Sequence, residues 1–314
     1  VTGAELPARV QIREVGPRDG FQNEPERIPT DDKIRLIEDL ARAGFRRLEV
    51  ASFVRSDVIP QLDDAIEVLH GVDVPGDVEL RVLVPNERGL QIALEHRDTF
   101  HDVVIFVSAS ETHNRKNVNR PVAASLAALE RMAPVIKGAG LRCSATVATA
   151  FGCPFEGVVD PARVLDLASR LAEAGCDELG FGDTTGMANP VQVRSFFAEA
   201  LRTLPGIELT AHFHNTRGQG LANAVAALDA GVTSFESSFG ELGGCPIPPG
   251  ATGNIASEDL VSMLEEMGVA TGVDLDALLH AARAVQTLLG RPLTSHVLVA
   301  GPVDWSGGGA RRTS

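Results

Sequence analysis

Two histidines separated by one apolar residue stand in Ala211-His212-Phe213-His214-Asn215. Successive side chains of an extended chain point to opposite faces, so both imidazoles fall on one face and can share a single ion. A chance pair in a strand whose other face is buried is the competing reading, and the placement of other polar residues bears on the choice. A carboxylate, Asp19, lies in Gly16-Pro17-Arg18-Asp19-Gly20, and an amide, Asn254, comes directly after Gly253. Two imidazoles, one carboxylate and one amide leave room for substrate or water, which suits Mg²⁺ or Mn²⁺ in roughly octahedral coordination. Zinc is compatible with the donor types, but no cysteine stands beside the pair and no third histidine lies at obvious spacing. For Asp19 alone, capping the turn before Gly20 is the alternative.

Other residues extend this chemistry. Arg18 adjoins the carboxylate, and a fixed cation beside a metal suits a reaction that develops negative charge on oxygen, although a surface ion pair is its plain alternative. Glu49 interrupts the apolar run Leu48-Glu49-Val50-Ala51, where an acid is rarely buried unpaired, so a partner such as Arg18 is expected. Asp183 in Gly182-Asp183-Thr184 reads either as a site acid or as a loop cap. Cys245, in Gly243-Gly244-Cys245-Pro246, sits in a loop of glycine hinges and stiff prolines, where a thiol could exchange a proton with carbon or simply fill space. Gln22, Asn23 and Ser52 are weaker candidates for substrate contact.

A fold must bring these distant residues together. Short β-branched runs alternate with Ala/Leu/Arg-rich stretches of helical period, the pattern of repeated strand-helix units and a parallel sheet. Strands are expected to begin near Val10, Arg47, Glu79, Asp102, Arg142, Asp177, Glu208 and Thr233. Helices are expected at 30–43, 57–70, 87–95, 121–139, 161–174, 190–203, 220–230 and 257–267. This predicts an α/β fold, a closed (β/α)8 TIM barrel over about residues 9–268 of a single domain. An open doubly wound sheet would carry Gly-x-Gly-x-x-Gly where Gly16-Pro17-Arg18-Asp19-Gly20 stands. A C-terminal helical extension, about 274–290, is expected outside the barrel or against a partner subunit, and about 303–314 reads as a flexible tail. Catalytic groups collect at the carboxyl ends of barrel strands, and closure sets strand eight beside strand one. Asp19, His212, His214 and Asn254 are therefore expected at one corner.

The net charge of −14 argues against a nucleic-acid partner, which calls for a cationic surface. No apolar stretch approaches the roughly 20 residues of a membrane span, and the first residues show no targeting pattern. The four cysteines lack paired spacing and read as reduced thiols of a cytoplasmic protein. Barrels often pair through outer helices, so a homo-oligomer, dimer or tetramer, is expected. A Schiff-base aldolase or a biotin-linked carboxyltransferase would need a strand lysine, whereas Lys33, Lys116 and Lys137 lie outside the expected strands. Asn114, Arg115, Lys116 and Asn117, after strand four, form a basic patch in an acidic chain; it suits phosphates, or is a solvated loop.

From about Val10 to Leu289 the chain resembles the 3-hydroxy-3-methylglutaryl-CoA lyase family of metal-dependent barrel lyases. The resemblance rests on Val15-Gly16-Pro17-Arg18-Asp19-Gly20-Phe21-Gln22-Asn23-Glu24, on His212-x-His214, and on Leu242-Gly243-Gly244-Cys245-Pro246 leading to Gly253-Asn254-Ile255-Ala256-Ser257. It implies Asp19, His212, His214 and Asn254 as ligands of Mg²⁺ or Mn²⁺, Arg18 as the residue that steadies a thioester enolate, Glu49 and Asp183 as site acids, and Cys245 as a mobile catalytic thiol. The implied reaction is a retro-Claisen cleavage of an acyl-CoA thioester, with His212 or Asp19 as base and the patch at 114–117 near the CoA phosphates. Family members usually carry Asp-Thr-Tyr after the second histidine, a small residue and Gly before Leu-Gly-Gly-Cys, and Tyr-Ala after the proline. Here stand Asn215-Thr216-Arg217, Gly240-Glu241 and Ile247-Pro248, departures that bear on the acyl group more than on the reaction class.

Overall fold

Alternating β-branched and helical runs give, in a computed structural model that describes residues 6–244 and 253–305, eight parallel strands hydrogen-bonded in sequence order. They are β1 (Gln11–Glu14), β2 (Arg47–Ser52), β3 (Glu79–Leu83), β4 (Asp102–Ser108), β5 (Arg142–Ala148), β6 (Glu178–Asp183), β7 (Glu208–Phe213) and β8 (Ser234–Ser237). β8 pairs with β1, Gln11 opposite Ser234 and Glu14 opposite Ser237, which closes the expected (β/α)8 TIM barrel. Around it lie α1 (Thr30–Arg42), α2 (Ala65–Gly71), α3 (Glu87–Glu95), α4 (Glu111–Val118), α5 (Val122–Gly138), α6 (Pro161–Glu173), α7 (Pro190–Thr203), α8 (Gly220–Ala230) and α9 (Ser257–Glu266). The C-terminal extension, α10 (Leu275–Leu289), packs outside the barrel on α1 and α9, and a short α11 (His296–Ala300) rests on α9. No helix among the described residues is long and apolar enough to cross a membrane.

Two expectations need correction. The helix expected at 57–70 is regular only from Ala65, because Pro60 opens a separate 3-10 turn and tertiary contacts pin the residues around it. Gln61 accepts from the Ile28 amide at 2.9 Å, and buried Lys33 binds Asp64 at 2.8 Å. The segment after β4 is the helix α4 rather than a loop; Ser110 caps its start by accepting from the His113 amide at 3.1 Å.

Residues that face the helices build an apolar shell, with Phe151, Phe181, Phe196 and Phe197 stacked edge to face or tilted, the closest ring centroids 4.9 Å apart. Alternate strand residues point inward, and many are charged. Arg13 on β1 binds Glu178 at 2.5 Å and Glu79 at 3.0 Å, with Asp102 at 3.5 Å. Toward the strand starts, Arg142 binds Glu208 at 2.5 Å and Glu178 at 3.1 Å, and Arg47 also holds Glu208. Toward the strand ends, Arg81 is paired with both Glu49 and Glu236. Burial pushes Asp102 up to about 7, whereas at Glu178 burial is outweighed by the charge and hydrogen bonds of Arg13, which hold its carboxyl well below the ordinary range.

An ion pair of this kind is costly to break from one side, because the surviving charge is left in a medium that solvates it poorly. Arg13→Met should lower unfolding free energy by about 3–5 kcal/mol in equilibrium urea denaturation. A loss below about 1 kcal/mol would mean that the inward carboxylates tolerate isolation by taking up protons.

Candidate active site

The corner where β1 meets β8 is shaped by one wide turn. After β1 the chain forms a π-helical turn over Gly16–Gly20, in which the Asp19 amide donates to the Val15 carbonyl at 2.7 Å and the Gly20 amide to the same oxygen at 3.3 Å. Such turns are frequent at functional sites. Gly16 has no substitute here, since a Cβ would lie 2.2 Å from the Phe239 ring. Glu14 fastens the turn: it accepts from the Gly16 amide at 2.7 Å, the Phe239 amide at 3.1 Å and the Ser257 hydroxyl. Glu258, at the start of α9, accepts from the Gly240 amide at 2.9 Å. Burial pushes Glu14 up to about 7 and Glu258 up to about 8, since neither meets a cation.

On this support the expected metal-binding residues converge. Donor atoms of Asp19, His212 and His214 lie within 4.8 Å of one another. The Nε2 atoms of His212 and His214 face each other at 3.0 Å, the separation two nitrogens take as adjacent ligands with bonds of about 2.1 Å at right angles. Asn254 donates to Asp19 at 2.8 Å and to the Leu242 carbonyl at 3.1 Å, while its own Oδ1 is buried with no partner. An oxygen buried without a donor beside two facing imidazole nitrogens and a carboxylate is a donor set short of one electrophile, and a divalent cation fits it. Asn254 is placed by backbone pairing with His214 and by two glycines: a Cβ on Gly253 would lie 2.0 Å from the Glu241 and Gly243 carbonyls, and one on Gly243 2.8 Å from the Asp19 carbonyl.

Charge flanks this corner. Arg18 binds Asp19 at 2.8 Å and pairs with fully buried Glu49, the partner that its apolar surroundings demanded. Arg18 also donates to Gln22 at 3.3 Å. On the far side Glu236 accepts from or shares a proton with His212 Nδ1 at 2.9 Å. Burial opposes a charged His212, but the hydrogen bond and charge of Glu236 outweigh it and raise its pKa; burial and the neighbouring His212 push His214 down to about 3.

The remaining candidates divide. One oxygen of Asp183 caps the Met187 and Ala188 amides at 2.8 and 3.1 Å, the other is buried without a partner, and burial pushes the group up to about 6. Loop cap and site acid are thus compatible. Cys245 lies outside the described residues; the stem before it is tied down by Asn23, which donates to the Gly244 carbonyl at 2.6 Å. Ser52 is buried and its hydroxyl unpartnered. Asn114 is corrected: its amide accepts from the Ser108 amide and donates to Ser125 and the Arg120 carbonyl, so it braces α4 and is not free for phosphate. Arg115, Lys116 and Asn117 remain exposed, Arg115 paired with Glu111 at 2.8 Å and Lys116 over the Phe155 ring. Two departures from the family pattern meet, Asn215 donating to Glu241 at 2.6 Å, with Glu241 in a left-handed conformation (φ 64°) that favours glycine. Sequence reasoning missed Glu14, Arg81, Glu236 and Glu258; the available signal was alternation of Glu79 and Arg81 on β3 and of Ser234 and Glu236 on β8, polar residues at every second strand position.

The HMGL-like family profile matches residues 9–285. The chain belongs to the HMGL-like family. It is 47% identical over 292 residues, 93% of this chain and 97% of the relative, to hydroxymethylglutaryl-CoA lyase YngG of Bacillus subtilis. It is 41% identical to (R)-citramalyl-CoA lyase of Chloroflexus aurantiacus, over 94% of this chain and 95% of that one. The solved structure of an HMG-CoA lyase from Acinetobacter baumannii, in complex with coenzyme A and 3-methylmalate, superposes with a TM-score of 0.90 at 42% identity, covering 94% of this chain and 96% of that one. Membership makes the chain a carbon-carbon lyase on a TIM barrel.

Because Glu258 titrates higher folded than unfolded, its contribution to stability is present below its unfolded value and is lost as pH rises through about 8. Glu258→Gln keeps an oxygen for the Gly240 amide but cannot ionise. Its unfolding free energy should fall less than that of the parent between pH 5 and 8.5, by an amount of order 1 kcal/mol or more. Parallel pH profiles from thermal unfolding would contradict this.

Proposed function

We propose that this protein is a divalent-metal-dependent lyase that cleaves 3-hydroxy-3-methylglutaryl-CoA to acetyl-CoA and acetoacetate. The observation that carries the reading is the cluster of Asp19, His212 and His214 with Arg18 bonded to its carboxylate at one barrel mouth. Asp19, His212, His214 and Asn254 would hold Mg²⁺ or Mn²⁺, which when bound supplies Lewis-acid polarisation of the substrate's hydroxyl and carboxylate oxygens.

The chain's own residues account for the rest. A base beside the metal corner takes the tertiary hydroxyl proton; Asp183, with a buried free oxygen, joins Asp19 as a candidate, whereas His212, expected as a base from the sequence, has one ring nitrogen on Glu236 and the other facing the metal corner. As the carbon-oxygen double bond forms, the bond between C2 and C3 breaks, and its electron pair passes into the enolate of acetyl-CoA. Arg18, held on opposite sides by Asp19 and Glu49, offers its charge to the enolate oxygen without having to reorganise. Cys245 delivers a proton to the enolate carbon. Arg115, Lys116 and Asn117 on exposed α4 would meet the CoA phosphates, in keeping with the coenzyme A bound by the Acinetobacter relative.

A second substrate reading, citramalyl-CoA, rests on the 41% identity to the (R)-citramalyl-CoA lyase of Chloroflexus aurantiacus, and the Asn215–Glu241 contact marks where the stem of the thiol loop departs from the lyase pattern. Turnover of the two thioesters, compared by mass spectrometry of the ketone product, separates them. With 3-hydroxy-3-methylglutaryl-CoA, EDTA should abolish acetyl-CoA release and Mg²⁺ or Mn²⁺ should restore it. Full activity in metal-free protein would refute the metal role. Cys245→Ser should cut turnover at least a hundredfold while leaving Mn²⁺ affinity within about twofold; unchanged turnover would assign the thiol to packing.

A further inference from the structure

We infer that Glu236 and Arg81 act as a positioning unit that sets His212 for metal coordination and, through Glu49, Arg18 for the substrate, so that both halves of the site lean on one buried cation. The inference rests on the proposed function in requiring a divalent ion and Arg18 at the substrate, and not on which thioester is cleaved.

A histidine coordinates through one nitrogen only if its proton sits on the other, and that proton needs an acceptor. Glu236 Oε2 lies 2.9 Å from His212 Nδ1, which leaves Nε2 facing His214 Nε2 at 3.0 Å. The partner histidine has no such support, as Nδ1 of His214 is buried without a hydrogen bond. Glu236 can fix the ring only if it is itself fixed. Its other oxygen pairs with Arg81, and Arg13 approaches that oxygen at 3.5 Å. Arg81, 2% exposed, reaches Glu49 as well, and Glu49 pairs with Arg18. From His212 to Arg18 the contacts run through buried groups, hydrogen-bonded at Glu236 and at Arg18 and joined between Arg81 and Glu49 by an ion pair, and at such depth charge interactions keep much of their strength. Arg81 stands opposite Glu49 in the β2–β3 register and Glu236 opposite His212 in the β7–β8 register, so strand pairing itself aligns the two ends.

If Glu236 merely balanced charge inside the barrel, its removal would affect stability alone. In metal-free protein labelled with ¹⁵N-histidine, above pH 8, His212 should carry its proton on Nδ1. Glu236→Gln should weaken Mn²⁺ binding about 10–100-fold in an EPR titration and populate the Nε2-protonated form. Arg81→Met, which removes the cation that Glu49 and Glu236 share, should weaken Mn²⁺ binding and also lower kcat at saturating Mn²⁺. Mn²⁺ affinity within twofold of the parent in folded Glu236→Gln would overturn the proposal. Should neither variant fold, the parent spectrum decides, and a proton on Nε2 of His212 overturns it equally. A protein inactive on every thioester but with these metal and tautomer results would sink the proposed substrate and the Arg18 half of the inference, and leave the positioning of His212 by Glu236 standing.

Discussion

The dominant constraint is that charges inside the barrel have no water to solvate them. Arg13 sits within bonding or ion-pair distance of Glu79, Asp102, Glu178 and Glu236, and Arg81 of Glu49, Glu178 and Glu236. Against an apolar filling, such networks bring little net stability. They restrict geometry: a carboxylate that must meet a guanidinium from another strand cannot drift without isolating a charge. The residues at the barrel mouth inherit this restriction, because Arg18 and His212 are bonded to members of the same network.

The loops above the network obey a different rule, close approach of backbone to backbone. Gly243 and Gly253 let the turn carrying Asp19, the stem of the thiol loop and the segment carrying Asn254 come nearer than any side chain would permit, and Gly16 makes room for the Phe239 ring. Glu14 and Glu258 complete this tier by collecting backbone amides, at the expense of carboxylates held away from any cation. A charged floor and a glycine-rich rim give a metal corner that is rigid below. The rim differs from the family pattern at Asn215 and Glu241, which hydrogen-bond to each other.

Much of this was legible in the sequence. Strand starts near Arg47, Glu79, Asp102, Arg142 and Glu208 and a helix at 220–230 come from periods of two and 3.6, since burial of one face sets both. Pro60 was the visible warning against a continuous helix at 57–70, and α4 escaped notice because its polar residues show no apolar face to pack. Glu49 was recognisable as a paired acid because it interrupts an apolar run. Asn114 could not be told from a ligand, as an amide in a basic segment looks the same whether it meets a phosphate or its own backbone.

Residue types and their spacing by themselves determined the barrel, the candidate ligand set Asp19, His212, His214 and Asn254, and the family, because local periodicity and short motifs are properties of neighbours in the chain. Only the tertiary structure decided that Glu236 meets His212, that Arg81 stands between Glu49 and Glu236, and that Asn215 meets Glu241. These contacts join residues 24 to 155 positions apart, or their register across paired strands, and which buried charge meets which is fixed only when the sheet closes.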